Sequence, residues 1–122
     1  MAQAIDAYRE EIETRDVVLA GDLNCSAQTA NPKGHLRNVA SLRNLGMESA
    51  YHAFHGMEQG DEKVGTLYWR WSRDLPFHCD QAFVPSSWAS VITEATVGTF
   101  DDWVGARISD HVPVVVQVGL DT

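Results

Sequence analysis

The sequence predicts a single domain of the α+β class, because helix-like segments and a series of strand-like segments share one domain's length of chain. The chain has 122 residues, which is enough for one hydrophobic core. Apolar residues recur at helical spacing near the N-terminus, whereas β-branched and aromatic residues dominate four segments after residue 65. We therefore expect residues 1–122 to form one domain.

The individual elements follow from local patterns. Three apolar residues at helical spacing predict an amphipathic helix over 3–14. The unbroken apolar run 17–20 predicts an internal strand that is covered on both faces. An asparagine followed by proline predicts a helix over 33–45, which Gly46 ends. Further strands are predicted over 66–71, 77–84, 90–97 and 112–118, with a polar tip over 58–63 and a helical turn over 100–103.

The charge of the chain limits the substrates it can attract. The formal net charge is −8, with nine lysines and arginines against seventeen acids. Broad capture of nucleic acid depends on cationic side chains that replace counterions, so this balance disfavours it. A divalent cation can supply the missing positive field, which favours small phosphate substrates or substrates accompanied by a metal ion.

The remaining composition favours a soluble, cytoplasmic protein over a secreted one. No apolar stretch approaches the length of a transmembrane helix, and acids stand where a signal peptide needs a basic and then apolar run. Cys25 and Cys79 lack the spacing of a zinc site and the density of a disulfide scaffold, so reduced, buried thiols are expected.

Three short segments place an acid or amide at the end of an apolar strand: Gly21-Asp22-Leu23-Asn24, Cys79-Asp80-Gln81-Ala82-Phe83 and Ser109-Asp110-His111-Val112-Pro113. Side chains two residues apart on a strand point to the same side, so Asp22 and Asn24 converge if the strand continues that far. Such a carboxylate can activate or orient a water, while the amide donates to a phosphoryl oxygen. Alternatively, Asp-Leu-Asn forms only a turn.

The third segment combines a hard oxygen ligand with an imidazole. Asp110 suits Mg²⁺ or Mn²⁺, and a protonated His111 can donate to a phosphate oxygen. The alternative is a solvated loop. Asp80 argues for a site, because a carboxylate inside an apolar strand needs a hydrogen-bonded or cationic partner, and His111 is a good candidate.

In order and spacing, these segments resemble the C-terminal half of the endonuclease/exonuclease/phosphatase superfamily, the deoxyribonuclease-like metallo-phosphoesterases. The resemblance extends from Asp16 to the end, with Leu23 and Gln81 differing from the usual Phe and Tyr. It implies hydrolysis of a phosphoester by in-line attack of water with Mg²⁺ or Mn²⁺ as cofactor. The substrate class stays open among nucleic acid, nucleotide, phospholipid and inositol phosphate.

The resemblance also implies a role for each polar residue. Asp22 would activate the water and Asn24 would hold the phosphate. Asp80 would orient His111, whose imidazolium would stabilise the phosphoryl oxygens. Asp110 would lie at the metal, together with Asp22.

The fold implied by the resemblance is half of a four-layer α/β/β/α sandwich, with one mixed, mostly antiparallel sheet and flanking helices. Family members are roughly twice as long, and their first half supplies an Asn and a metal-binding Glu that nothing in residues 1–15 matches. The inner face of the sheet would then have no second layer packed against it. That face is formed by Val17, Leu19, Val114 and Val116 or their alternates. We expect self-association, or a complementing half; an incomplete fragment or interaction module is the alternative to an enzyme.

Four further candidates are weaker. His78 shares strand parity with Asp80 and is predicted to line the same cleft, and Trp103 precedes Asp110 and is predicted to contact substrate. Arg70 and Arg73 are possible phosphate contacts, although exposed salt bridges are expected for both. His52-x-x-His55 has the spacing of a metal pair but no third ligand nearby, so a structural role is favoured.

Overall fold

The computed structural model describes residues 1–121 and confirms the α+β class. Its helices are α1 (Ala2–Ala7), α2 (Arg9–Thr14), α3 (Lys33–Asn44) and α4 (Ala50–His55). Its strands are β1 (Leu19–Asp22), β2 (Met47–Ser49), β3 (Leu67–Tyr68), β4 (Pro76–Phe77), β5 (Asp80–Pro85), β6 (Ile92–Val97) and β7 (Val114–Val118). Short 3₁₀ helices span Trp69–Trp71 and Ser86–Val91, and a π-helical turn spans Asp101–Gly105. No helix in the described part of the chain is long and apolar enough to cross a membrane.

The strands of residues 1–121 form three antiparallel groups, β1-β5-β2, β3-β4 and β6-β7, where the sequence predicts one mixed sheet. The predicted strand 77–84 is divided because the backbone bends between β4 and β5. The prediction of an internal first strand is wrong, since β1 pairs only with β5 and is the edge of its group. An apolar run indicates what a strand would bury, but it does not fix which neighbour covers it.

The strand covered on both faces is β5. Its Phe83 belongs to a cluster with α1, α2, α3 and β2, whose buried members are Ile5, Ile12, Val39, Leu42 and Met47. The next residue, Val84, belongs to a second cluster with Ala50 and Ile92, against which Val116 and Val118 pack. Successive side chains of a strand point to opposite faces, so β5 joins the two halves of the core.

Several predicted boundaries differ from the structure. The helix predicted over 3–14 is divided at Tyr8, whose φ of −106° and ψ of 13° interrupt it and whose side chain is exposed. Only Leu67–Tyr68 of the strand predicted over 66–71 is extended, because Arg70 and Trp71 adopt left-handed φ values of 55° and 59°. The short elements β2 and α4 were missed, since three and six residues are too few for a periodic pattern.

Candidate active site

The carboxylate of Asp80 and the imidazole of His111 meet at one end of β5. Nδ1 of His111 lies 2.9 Å from Oδ2 of Asp80. Asp80 is the first residue of β5, and His111 lies in the loop before β7. Leu67 forms an isolated antiparallel bridge with His111, and the N–H of Val112 donates to the carbonyl of Thr66 at 2.8 Å. These backbone contacts fix the position of the His111 loop.

The hydroxyl oxygen of Thr66 shapes the backbone at Asp80. It accepts the N–H of Cys79 at 3.0 Å and the N–H of Asp80 at 2.9 Å, and Thr66 itself is fully buried. Two successive N–H groups directed at one oxygen bend the chain between β4 and β5. The bend aligns Asp80 with His111.

A second carboxylate faces the other side of the same ring. Asp22 pairs with Asp80 across β1 and β5, and its Oδ2 lies 3.9 Å from Nε2 of His111. Its Oδ1 accepts the N–H of Asn24 at 2.8 Å, and Asn24 has a left-handed φ of 52°. Asp-Leu-Asn therefore does form a turn. The strand ends at Asp22, so strand alternation does not extend to Asn24, and Asn24 contacts Asp22 through its backbone N–H.

The charges around His111 favour its protonated form. Burial by itself would lower the pKa of His111, but the hydrogen bond to Asp80 and the charges of Asp80, Asp22 and Asp110 outweigh burial and raise it. With Nδ1 held by Asp80, the Nε2–H of the imidazolium remains directed toward Asp22 and the solvent. A phosphate oxygen that enters here would meet a positively charged donor.

Asn24 lies on the wall of an adjacent cavity of about 270 Å³, which Trp69, Phe77 and Cys25 also line. The cavity is mostly apolar and opens next to the turn that holds Asp22. It provides room for a nonpolar part of a ligand beside the polar groups. The carbonyl of Asp110 accepts the N–H of Tyr68 at 2.8 Å, and this bond anchors the loop that carries both Asp110 and His111.

The donor set fits a hard divalent ion. Mg²⁺ commonly keeps several waters and takes one or two carboxylates together with substrate phosphate oxygens. Asp22 is part-exposed, Asp110 is half-buried, and both charges act on His111. Asp22 and Asp110 carry carboxylate oxygens of the kind that Mg²⁺ or Mn²⁺ takes.

His78 is not part of this site, and the prediction that it lines the cleft is wrong. Its side chain is fully buried, its ring lies 4.9 Å from that of Tyr51 and 5.5 Å from that of His52, and Nδ1 contacts the carbonyl of Val64 at 3.1 Å. The bend at Cys79 breaks the strand alternation on which the prediction depended.

Trp103, Arg70 and Arg73 lie in packing contacts, a turn and a surface ion pair, respectively. The indole of Trp103 is half-buried against Gly98, where a Cβ would lie 2.9 Å from Nε1 of the indole and 2.6 Å from Cδ of Pro113. Arg73 pairs with Asp101 at 2.6 Å, as its expected surface salt bridge requires. Arg70 lies in the left-handed turn after β3.

A buried polar network was missed. Nε2 of His52 contacts Oε1 of Glu62 at 2.6 Å, and Nδ1 contacts the hydroxyl of Ser49 at 2.6 Å. His55 contacts the carbonyl of Ala95 instead, so His52 and His55 do not form a metal pair. Glu62 lies within the predicted polar tip over 58–63, and nothing in that pattern distinguishes it from its exposed neighbour Asp61.

Comparison with known proteins identifies the fold. No protein-family model matches the chain, and a search of curated proteins gives no match. A structure of the 3′ phosphatase NExo from Neisseria, a variant bound to a product DNA hairpin, superposes with a TM-score of 0.75 at 19% identity. A structure of the 3′-5′ exonuclease NExo from Neisseria meningitidis gives 0.74 at 20%.

Both superpositions cover 98% of this chain, but only 51% and 52% of the respective neighbour. The chain therefore spans about half the length of these two proteins. Over that half, it shares the fold of these two structures.

Proposed function

We propose that the chain supplies the phosphate-activating half of a divalent-metal-dependent phosphoesterase, as a member of the endonuclease/exonuclease/phosphatase superfamily. The observation that supports this most strongly is the placement of His111 between two carboxylates, 2.9 Å from Asp80 and 3.9 Å from Asp22. The fold shared with NExo agrees with it. Residues 1–122 would form one domain, equivalent to the C-terminal half of those proteins.

In the proposed reaction, His111 is the group that meets developing negative charge. Its imidazolium donates from Nε2 to a phosphoryl oxygen, and Asp80 holds the ring in that orientation. Asp22 accepts a proton from the attacking water or aligns it, and the amide of Asn24 binds a second phosphoryl oxygen. A Mg²⁺ or Mn²⁺ ion at Asp22 and Asp110 would supply positive charge to the substrate phosphate.

The substrate we favour is a phosphoester at the end of a DNA strand, because one neighbour is described as a 3′ phosphatase bound to a DNA hairpin. A chain of net charge −8 gains little from long-range attraction to a phosphate backbone. Recognition would then rest on the terminal phosphate and on the apolar cavity beside Asn24.

The second candidate is an incomplete module that needs a complementing half. It is supported by one face of the β1-β5 pair, which carries small apolar residues next to the site. The side of β1 and β5 that carries Asp22 and Asp80 also carries Ala20 and Ala82, and the alternate residue Val18 is 54% exposed. Val17 and Leu19 pack on the core instead. A second copy of the chain, or a segment equivalent to the other half of NExo, would cover this face.

The test is hydrolysis of a 3′-phosphorylated DNA hairpin and of an aryl phosphodiester, with and without Mg²⁺ or Mn²⁺. We expect metal-dependent activity that Asp22→Ala and His111→Ala lower by about 10²- to 10⁴-fold. His55→Ala and Asp102→Asn are the matched controls, because His55 contacts the carbonyl of Ala95 and Asp102 is exposed on the π-helical turn. Equal rates in wild type and both site variants would contradict catalysis. A metal-supplemented wild type without activity would favour the incomplete module, and its oligomeric state in solution would show whether copies cover the open face.

A further inference from the structure

Cys79 lies beside the Asp80–His111 pair and adds a sulfur to it. Sγ of Cys79 is 3.7 Å from Oδ2 of Asp80. One ligand atom each from Cys79, Asp80 and His111 lie within 4.8 Å of one another. The proposed hydrolysis uses only two of these three residues.

The convergence of two neighbouring residues is unusual, because successive side chains on a strand point to opposite faces. Here Thr66 accepts both backbone N–H groups, so the chain bends and Cys79 and Asp80 turn toward the same space. The carbonyl of Cys79 also accepts the N–H of Leu23 at 2.8 Å, which fixes this bend against the strand that carries Asp22.

Two of the three separations between the ligand atoms are close to those around a tetrahedral ion. With ordinary zinc bond lengths, sulfur and oxygen ligands lie about 3.5 Å apart and nitrogen and oxygen ligands about 3.3 Å apart. The separations here are 3.7 Å and 2.9 Å. We propose that Cys79, Asp80 and His111 form a binding site for a thiophilic divalent cation, with Zn²⁺ as the reference ion and the fourth position open to water.

The charge balance explains why a cation stabilises the thiolate. Burial, followed by the charges of Asp80 and Asp22, raises the pKa of the Cys79 thiol to about 12, so the thiol is protonated without a cation. Bound Zn²⁺ displaces the proton of Cys79 and occupies Nδ1 of His111, leaving a proton on Nε2. Binding therefore releases two protons when His111 begins as imidazolium, and one proton when it begins neutral.

The consequence for catalysis rests on the proposed function. An ion at this site takes both the carboxylate that orients His111 and the ring itself, so hydrolysis stops. Mg²⁺ and Mn²⁺ favour oxygen ligands over thiolate, and they support activity at Asp22 and Asp110 instead. The two classes of ion would then act oppositely on one site, with Zn²⁺ as the inhibitor.

Cobalt(II) reports the binding step without any substrate. We expect one equivalent of Co²⁺ to give a thiolate-to-cobalt absorption band in the near ultraviolet and visible bands typical of tetrahedral coordination, and Zn²⁺ to abolish both by displacement. The chain has two cysteines, which makes the variants decisive. Cys79→Ala should lose the thiolate band, whereas Cys25→Ala should keep it, although Cys25 has its own imidazole neighbour in His35 at 3.3 Å.

The side chain of His111 is part-exposed, so the fold should tolerate His111→Ala. The variant should bind zinc more than about 100-fold more weakly, which is a larger loss than the removal of a residue that only supports a ligand causes. A missing thiolate band, or a band that Cys25→Ala removes and Cys79→Ala keeps, overturns the site. In the activity assay with Mg²⁺, each variant is compared with its own rate without zinc, and zinc should inhibit wild type and Cys25→Ala but not Cys79→Ala. Cobalt binding in a chain that hydrolyses nothing would contradict the proposed function and leave the metal site standing.

Discussion

Two carboxylate–imidazole pairs of similar geometry occupy opposite environments in this fold. Asp80 and His111 meet at 2.9 Å with side chains that are 19% and 34% exposed, whereas Glu62 and His52 meet at 2.6 Å with side chains that are 0% and 2% exposed. In the buried pair, both ring nitrogens of His52 have partners. In the more exposed pair, the one partner of His111 Nε2 within residues 1–121 is the carboxylate of Asp22, 3.9 Å away. The two pairs therefore differ in whether the imidazole keeps a donor free, and the role proposed for His111 depends on that donor.

The largest effect should separate the two pairs by activity. His111→Ala should lower kcat/KM by about 10²- to 10⁴-fold while shifting the free energy of unfolding by less than about 1 kcal/mol. Steady-state rates and urea unfolding on the same preparations measure both quantities. Loss of activity with an equally large loss of stability would place His111 in the same structural class as His52.

The next effect should appear in stability alone. Glu62→Ala removes one partner of a buried pair and leaves His52 without its acceptor, so we expect a loss of about 3–5 kcal/mol in the free energy of unfolding. Glu58→Ala is the matched control, since its carboxylate is 78% exposed. Chemical denaturation measures both, and equal midpoints would contradict a structural role for Glu62.

Thr66→Val tests whether the Thr66 hydroxyl aligns Asp80 with His111. The substitution preserves shape but leaves two buried N–H groups, those of Cys79 and Asp80, without an acceptor. We expect a loss of about 1–3 kcal/mol in stability together with reduced activity, because Asp80 loses its fixed position. Thr96→Val, on the exposed side of β6, should change neither quantity. Retained activity would show that the bend survives without the hydroxyl.

Stability should fall at opposite ends of the pH range for the two pairs. The pKa of His111 is raised, so its contribution is fully present below its ordinary value of 6.5 and is lost as pH rises through the raised pKa. Burial would raise the pKa of Glu62, but hydrogen bonds from His52 and Gly60 outweigh it. The lowered pKa means that this contribution is present above 4.5 and is lost as pH falls through it.

Each loss should stay below about 1.4 kcal/mol per pH unit for a single titrating group. Thermal unfolding from about pH 2 to about pH 9 covers both losses, and Asp80→Asn should reduce only the alkaline loss, because Asp22 and Asp110 also raise the pKa of His111. The pH–rate profile should shift with it, because activity that needs protonated His111 should then fall at lower pH. An unchanged alkaline limb in the variant would contradict the assignment to this pair.

The smallest effect should come from a third, more exposed pair. Arg73 and Asp101 lie 2.6 Å apart, but their side chains are 61% and 78% exposed. Arg73→Ala should therefore cost less than about 1 kcal/mol, and the cost should shrink further at high salt. Denaturation at low and high ionic strength measures this, and a larger cost would point to the packing of Arg73 on the ring of Phe100.

The sequence was sufficient to predict the Asp80–His111 contact, because an acid among apolar residues needs a partner and few candidates exist. It was also sufficient for the α+β class, α3 and β7, where periodicity is strong. It could not predict the burial of Glu62, which depends on the tertiary contact with His52, or that of His78, which precedes the bend that Thr66 creates at Cys79 and Asp80. The sequence also could not predict that β1 is an edge strand, because the fold, and not the composition of one strand, sets which strands pair.

The division of the strands into separate groups has a consequence for motion. No ladder hydrogen bond joins β6-β7 to β1-β5-β2 within residues 1–121, yet the Asp80–His111 contact spans the two groups, since Asp80 begins β5 and His111 precedes β7. We expect each group to open locally with its own free energy, coupled to the other through the packing of Val84 against Ile92 and Val116. Amide hydrogen exchange should show two distinct opening rates, and the less protected unit sets the fraction of time for which the site is assembled.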